Sequence, residues 1–210
     1  MKNESATHVT AIFLAAGTSS RMGAVNKLTL DYYGKKLVYH CFYNLKNSTL
    51  NQLITVTGHE PEYVDNSLCN HDDPMVHNED YESGMTSSIQ TGINAIKHDT
   101  DAYMICLADM PYLRTIDLDL LLSEFRHTYK NEPLIITPIV NERSGNPVIF
   151  SKHFKDEILS HKSPNGCKEI IKSNAKSVIK IPLENEKAFN DIDTMEDYSK
   201  CVMDHISRNN

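Results

Sequence analysis

The chain has 210 residues, of which 40% are hydrophobic and 23% charged, ordinary values for a globular protein with a sizeable core. Acidic residues outnumber basic ones 28 to 21, for a formal net charge of −7, which argues against sequence-independent nucleic-acid binding, since that depends on Lys and Arg contacts to phosphate. The opening residues MKNESATH lack the apolar stretch of a signal peptide, no apolar run approaches the ~20 residues of a membrane span, and the five scattered cysteines (Cys41, Cys69, Cys106, Cys167, Cys201) read as reduced thiols, so a cytoplasmic protein without membrane contact is expected.

Residues 1–7 read as a flexible extension. VTAIFLAA (9–16) reads as a buried strand, followed by a helix near 36–46 and a second strand, LITVTG (53–58). In SGMTSSIQTGINAIK (83–97), Met85, Ile89, Ile93 and Ile96 recur at helical spacing. AYMICLAD (102–109) is a continuous apolar run and predicts a strand buried on both faces. Leu118, Leu121, Leu122 and Phe125 predict a helix. LIITPIV (134–140) and NPVIF (146–150) predict strands, and Pro138 predicts an edge or a bend in the first. Helices near 151–160 and 166–174, a strand at 177–183 and a last helix entered through Asp193-Thr194 complete the chain. This alternation predicts one α/β domain over 1–210, a three-layer α/β/α sandwich around a Rossmann-like, mostly parallel sheet. Ligands of such sheets bind beyond the carboxyl ends of the strands.

The segments just after the strands carry the chemistry. LAAGTSSRMGAVNKL (14–28) fits neither the GxxxxGK[ST] nor the GxGxxG phosphate-binding pattern. A glycine just past a strand still lets the backbone approach a ligand and turn its N–H groups to phosphate. Arg21 adds a planar donor fork and Lys27 a compact charge. Taken alone, the loop is equally an ordinary turn with two solvated basic residues. Gly84-Met85-Thr86-Ser87-Ser88-Ile89 opens a helix with small hydroxyls, which also serve as plain caps. Asp109, ending the third strand in Leu107-Ala108-Asp109-Met110-Pro111, suits Mg²⁺, which prefers one or two carboxylates plus substrate phosphates. Asp191 and Asp193 alternate, so in extended backbone they point the same way and one or both complete a metal site with Asp109; Asp193 or Thr194 also suits the cap of the last helix, and the two roles are compatible. Ten histidines are present without an HxxxH or HExxH pattern, so they are expected on the surface or in loops.

Together these segments resemble the MobA-like nucleotidyltransferases, a group of the nucleotide-diphospho-sugar transferase fold, and within it the molybdenum cofactor cytidylyltransferases. The resemblance implies transfer of CMP from CTP to the phosphate of molybdopterin, with Mg²⁺ as cofactor and release of pyrophosphate. The recipient of the product would be a molybdoenzyme of the xanthine dehydrogenase type. It implies nucleotide contacts from Leu14, Ala15, Ala16, Gly17, Thr18, Ser19, Ser20, Arg21, Lys27, Gly84, Ser87 and Ser88. Catalytic roles would fall to Arg21, Lys27 and Asp109, metal ligation to Asp109, Asp191 and Asp193, and acceptor binding to Gly145, Asn146, Pro147, Gly166 and Lys168. The guanylyltransferase branch usually has Gly where this chain has Ala16, which favours CTP. The family usually has Pro in place of Met195, and the cytidylyltransferases commonly have His in place of Asn146 and a different turn where this chain reads Ser163-Pro164-Asn165-Gly166-Cys167-Lys168. The departures at Asn146 and in that turn concern the acceptor and leave open a guanylyltransferase or a sugar- or alditol-phosphate nucleotidyltransferase. A non-catalytic nucleotide-binding regulator is the remaining alternative.

Overall fold

Strand β1 (Val9–Ala15) sets the architecture, because both of its faces are apolar. Val9, Ala11, Phe13 and Ala15 enter one core cluster, whereas Ile12 and Leu14 enter another. A strand buried on both sides needs helices on both sides. The computed structural model describes residues 7–23, 25–68 and 72–206, with side chains up to 203. The first six residues of the expected N-terminal extension, Ala24 of the opening loop, Cys69 and the side chain of Ile206 lie outside the described residues.

After β1 come a small hairpin, β2 (Asp31–Tyr32) and β3 (Lys35–Lys36), then α1 (Leu37–Lys46), β4 (Gln52–Thr57), α2 (Pro61–Ser67), β5 (Met75–His77) and α3 (Met85–Asn94). The chain continues through β6 (Ala102–Leu107), α4 (Thr115–Thr128), β7 (Ile135–Val140), β8 (Arg143–Ser144), β9 (Val148–Ser151), α5 (Lys155–Ser160), α6 (Lys168–Ser173), β10 (Val178–Pro182) and α7 (Met195–Ile206). The main sheet has the order β10-β7-β9-β6-β1-β4-β5, with β8 paired to β7. β6, β1, β4 and β5 are parallel neighbours, as are β7 and β10, while β9 runs antiparallel to β6 and β7. Val38, Phe42, Val64, Leu121 and Phe125 bring α1, α2 and α4 onto one face. Ile89, Ile93, Ile158 and Ile170 bring α3, α5 and α6 onto the other, giving the expected three-layer sandwich. Tyr32, Leu37, Ile192 and Cys201 form a third cluster that ties α7 to the hairpin.

The strand and helix expectations hold, and they leave out only short elements. The hairpin, α2, β5 and β8 span two to seven residues each, too few for a periodicity to show. Pro138 does not mark an edge: β7 lies between β10 and β9. It marks a change of partner instead, since Ile135 and Ile136 pair with β9 while Ile139 and Val140 pair with β8. The four cysteines among the described residues, Cys41, Cys106, Cys167 and Cys201, are free and buried.

Candidate active site

The carboxyl ends of β1 and β6 open onto a cleft of about 350 Å³, floored by Leu14, Leu107 and Ala108. After β1 the chain turns through Ala16, Gly17, Thr18 and Ser19 into a single-turn helix, Ser20–Met22. Ser19 is left-handed (φ 53°, ψ 31°), so the loop doubles back and the Ser19 hydroxyl accepts the Lys27 N–H at 3.1 Å. Asn26 then caps a second single turn, Lys27–Thr29, by accepting the Leu28 N–H at 3.1 Å. Ala16, Gly17, Thr18, Ser19, Ser20, Arg21 and Lys27 all line the cleft. Ala15 does not: it is a buried β1 residue in the core.

The opposite wall is the start of α3. Gly84 has φ 115°, and a Cβ there would fall 2.6 Å from the Pro164 carbonyl oxygen, so any side chain is excluded twice over. Gly84 and Ser88 line the cleft. Ser87 does not. Its hydroxyl lies within donating distance of the Asp80 and Gly84 carbonyls (2.9 and 2.8 Å) and ties the turn before the helix instead. Tyr81, Glu82 and Met85 complete this wall, and Leu28 lines the side of the basic loop. Nothing in the sequence pattern singled out Tyr81 or Glu82, because they follow the three-residue strand β5. Gly58, at the end of β4, explains how Tyr81 arrives: a Cβ at Gly58 would lie 2.5 Å from Tyr81 Cβ and 2.8 Å from the Ala16 carbonyl oxygen.

The acidic residues converge as expected. The Ile192 N–H donates to the Asp109 carbonyl at 3.1 Å, and the Ile192 side chain is fully buried. With Ile192 anchored inward, its neighbours Asp191 and Asp193 turn outward together. One carboxylate oxygen from each of Asp109, Asp191 and Asp193 lies within 4.8 Å of the others. Asp193 is not the helix cap: the Thr194 hydroxyl accepts the Asp197 N–H at 3.2 Å, and the Asp197 carboxylate accepts the Thr194 N–H at 2.9 Å, closing a capping box on α7.

Lys27 enters this acidic group. Its Nζ donates to Asp109 at 2.6 Å and to Asp193 at 2.9 Å, while Arg21 forms an ion pair with Asp193. Burial alone would lower the Lys27 pKa, but the charge and hydrogen bond of Asp109, then those of Asp193, outweigh it and hold the ammonium above its ordinary value. Asp191 is exposed, yet partial desolvation beside its neighbours, then the like charges of Asp193 and Asp109, push its carboxyl up. The second oxygen of Asp109, Oδ1, is buried without a hydrogen-bond donor. Hard carboxylate oxygens, one of them orphaned, around a point that already holds one cation fit a divalent ion of the magnesium class.

The residues expected on the acceptor side lie apart from the cleft lining. β9 is antiparallel and Val148 pairs with Ile105, so the start of β9 lies at the edge where β6 ends, and Gly145, Asn146 and Pro147 reach that edge. Gly145 packs against Phe189, whose ring would stand 2.6 Å from a Cβ at that position. Gly166 donates its N–H to the Thr86 hydroxyl at 3.1 Å, so its turn braces the start of α3 from behind. Lys168 begins α6 and is exposed.

A sequence model of the MobA-like NTP transferase domain matches residues 11–178. Among curated proteins, nicotine blue oxidoreductase of Paenarthrobacter nicotinovorans is 25% identical, covering 90% of this chain and 93% of its own length. Bifunctional protein GlmU of Staphylococcus haemolyticus is 26% identical over 57% of this chain, which spans only 26% of that relative. Among solved structures, Rv0371c of Mycobacterium tuberculosis superposes with a TM-score of 0.81 at 20% identity, covering 94% of this chain and 99% of that one. The same protein in complex with manganese gives a TM-score of 0.79 at 19% identity, with coverage of 94% and 99%. A CMP:2-keto-3-deoxy-manno-octonic acid synthetase complexed with CTP gives a TM-score of 0.74 at 13% identity, covering 96% of this chain and 100% of that one. At these identities the structural likenesses establish the fold.

Proposed function

As the chain belongs to the MobA-like NTP transferase family, we propose that residues 1–210 form a single nucleotidyltransferase domain that moves CMP from CTP to the phosphate of molybdopterin. One observation carries this reading: Lys27 and Arg21, from the loop after β1, meet the carboxylates of Asp109 and Asp193 at the mouth of one cleft. A binding module has no need of two basic groups matched to two carboxylates drawn from separate segments. Mg²⁺ would be held by Asp109, Asp191 and Asp193, whose oxygens are hard donors gathered within 4.8 Å of one another. When bound, the ion would neutralise phosphate charge and polarise the α-phosphorus.

The chain's own residues supply binding and orientation. Backbone N–H groups from Ala16 to Arg21 line the path of the triphosphate. Lys27 and Arg21 leave their carboxylate partners for the β- and γ-phosphates and stabilise the departing pyrophosphate. An oxygen of the acceptor phosphate attacks the α-phosphorus in line. The bond from that phosphorus to the oxygen bridging the β-phosphate breaks, and pyrophosphate leaves. The attacking phosphate is already ionised at neutral pH, so no general base is assigned. Gly84 and Ser88 face the nucleoside. Gly145, Asn146, Pro147, Gly166 and Lys168 stand on the acceptor side. Ala16, where a glycine would favour GTP, supports CTP. The product would pass, in the cytoplasm, to a molybdoenzyme of the xanthine dehydrogenase type.

The test is pyrophosphate release from the protein with Mg²⁺, each of the four NTPs in turn, and molybdopterin. CTP-specific release that requires molybdopterin is the expected result. Release with GTP alone, or only with a sugar or alditol phosphate, would replace the nucleotide or the acceptor. Tight nucleotide binding without release would make the protein a regulator.

A further inference from the structure

We propose that Glu60 is a positioning residue: through Asn26 it fixes Lys27 in the geometry that holds the phosphates. The inference rests on the assignment of Lys27 to the triphosphate. Glu60 lies between β4 and α2, outside every motif of the sequence. Its backbone is left-handed (φ 49°, ψ 55°), a region that residues other than Gly, Asn and Asp seldom occupy. This conformation brings its carboxylate to the Asn26 side-chain amide, whose Nδ2 donates to it at 3.2 Å.

The consequence follows from the two ends of the Asn26 amide. Asn26 is only 6% exposed. Its Oδ1 must face the Leu28 N–H to cap the turn that begins at Lys27, and its Nδ2 must then find an acceptor on the other side. An ionised carboxylate only accepts, so Glu60 selects that one orientation of the amide. Without it, Nδ2 is a buried donor with no partner, and the amide is free to turn and release the cap. The Lys27 backbone would then be held by the Ser19 hydroxyl alone of these two restraints. The same Glu60 oxygen lies 3.7 Å from His59 Nε2, and the His59 ring sits beside Tyr81, 6.2 Å between centroids. Glu60 thus joins the loop that carries Lys27 to the wall that carries Tyr81.

A calorimetric titration with inorganic pyrophosphate and Mn²⁺ tests this without an acceptor or turnover. Lys27→Ala is expected to weaken binding about 30-fold and Glu60→Ala about 5- to 10-fold, as for loss and for misplacement of one charge-assisted contact. Glu60→Gln keeps an acceptor for Nδ2 and should bind within about twofold of the wild type. The double variant Lys27→Ala/Glu60→Ala should bind no more weakly than Lys27→Ala, because Glu60 acts only through Lys27. Additive losses, or Glu60→Gln as weak as Glu60→Ala, would overturn the proposal. A loss in Lys27→Ala with none in Glu60→Ala overturns the proposal and leaves the reading of Lys27 standing. No loss in Lys27→Ala removes both. If Glu60→Ala does not fold, Asn26→Asp takes its place: it keeps the cap acceptor but opposes Glu60 with a like charge. Its weakening should be relieved by adding Glu60→Gln, and absence of relief overturns the proposal.

Discussion

The two halves of the sheet use their strand ends differently. Around β1, β6 and the segment before α7, the backbone delivers charge: Lys27, Arg21, Asp109 and Asp193 meet within ion-pair distance at one cleft. Around β7, β8 and β9, and in the turn before α6, glycines of the same motif-like appearance make close contacts within the protein, Gly145 with Phe189 and Gly166 with Met85 and Thr86. A charged residue at a strand end carries its chemistry in its side chain and can be read directly. A glycine is the same letter whether it makes room for a ligand or for another part of the protein.

The sharpest break of this comparison is Asp109→Ala. Pyrophosphate release should fall by on the order of 10²–10³-fold or more, as when a preorganised charge-stabilising group is removed. The thermal midpoint should hold, because Lys27 keeps Asp193 as a partner and the orphaned Asp109 Oδ1 leaves with the substitution. A variant that melts early would place Asp109 among the structural residues, on the same footing as the glycines of the other half.

Gly145→Ala is the converse. The added Cβ would lie 2.6 Å from the Phe189 ring. Either the ring or the strand entry must shift, at a cost of about 1–3 kcal/mol. The expected outcome is a lower melting temperature with unchanged affinity for CTP and Mn²⁺. Unchanged melting with a raised KM for the acceptor alone would make Gly145 a binding residue after all.

The same contrast decides what was legible in the sequence. The central strands and the longer helices declared themselves because each buries a face, and burial imposes a period. Asp109 was legible as the first polar residue after a buried run, and Asp191 with Asp193 from their alternation about Ile192. Tyr81, Glu82 and Glu60 were not. They are placed by a three-residue strand and by a left-handed residue before α2, which leave no periodic trace. Ser87 lies outside the cleft lining while Ser88 lines it, and the sequence could not tell them apart because a hydroxyl that braces a turn and one that faces a ligand look alike one position apart. Pro138 showed a real interruption, but a strand can change partners in the middle of a sheet as well as at its edge.

The smallest effect concerns stability in the charged half. Partial desolvation and the like charges of Asp193 and Asp109 raise the exposed Asp191 carboxyl above the usual carboxylate value. A raised acid binds its proton more tightly in the folded protein than in the unfolded chain. It therefore costs no stability at a pH below the unfolded value of ~3.9. The cost grows as pH rises through the gap between the two values and is complete above the folded one. Asp191→Asn removes it, so the metal-free variant should melt slightly higher than the wild type at pH 7, and the difference should vanish in acid. The same variant should lose part of the thermal stabilisation that Mn²⁺ gives the wild type, because one carboxylate ligand has gone. Melting curves at both pH values, with chelator and with Mn²⁺, separate these effects. If the metal-free variant melted lower at pH 7, Lys27 and Arg21 would already neutralise the acidic group, and the charged half would be as well packed as the half built on glycines.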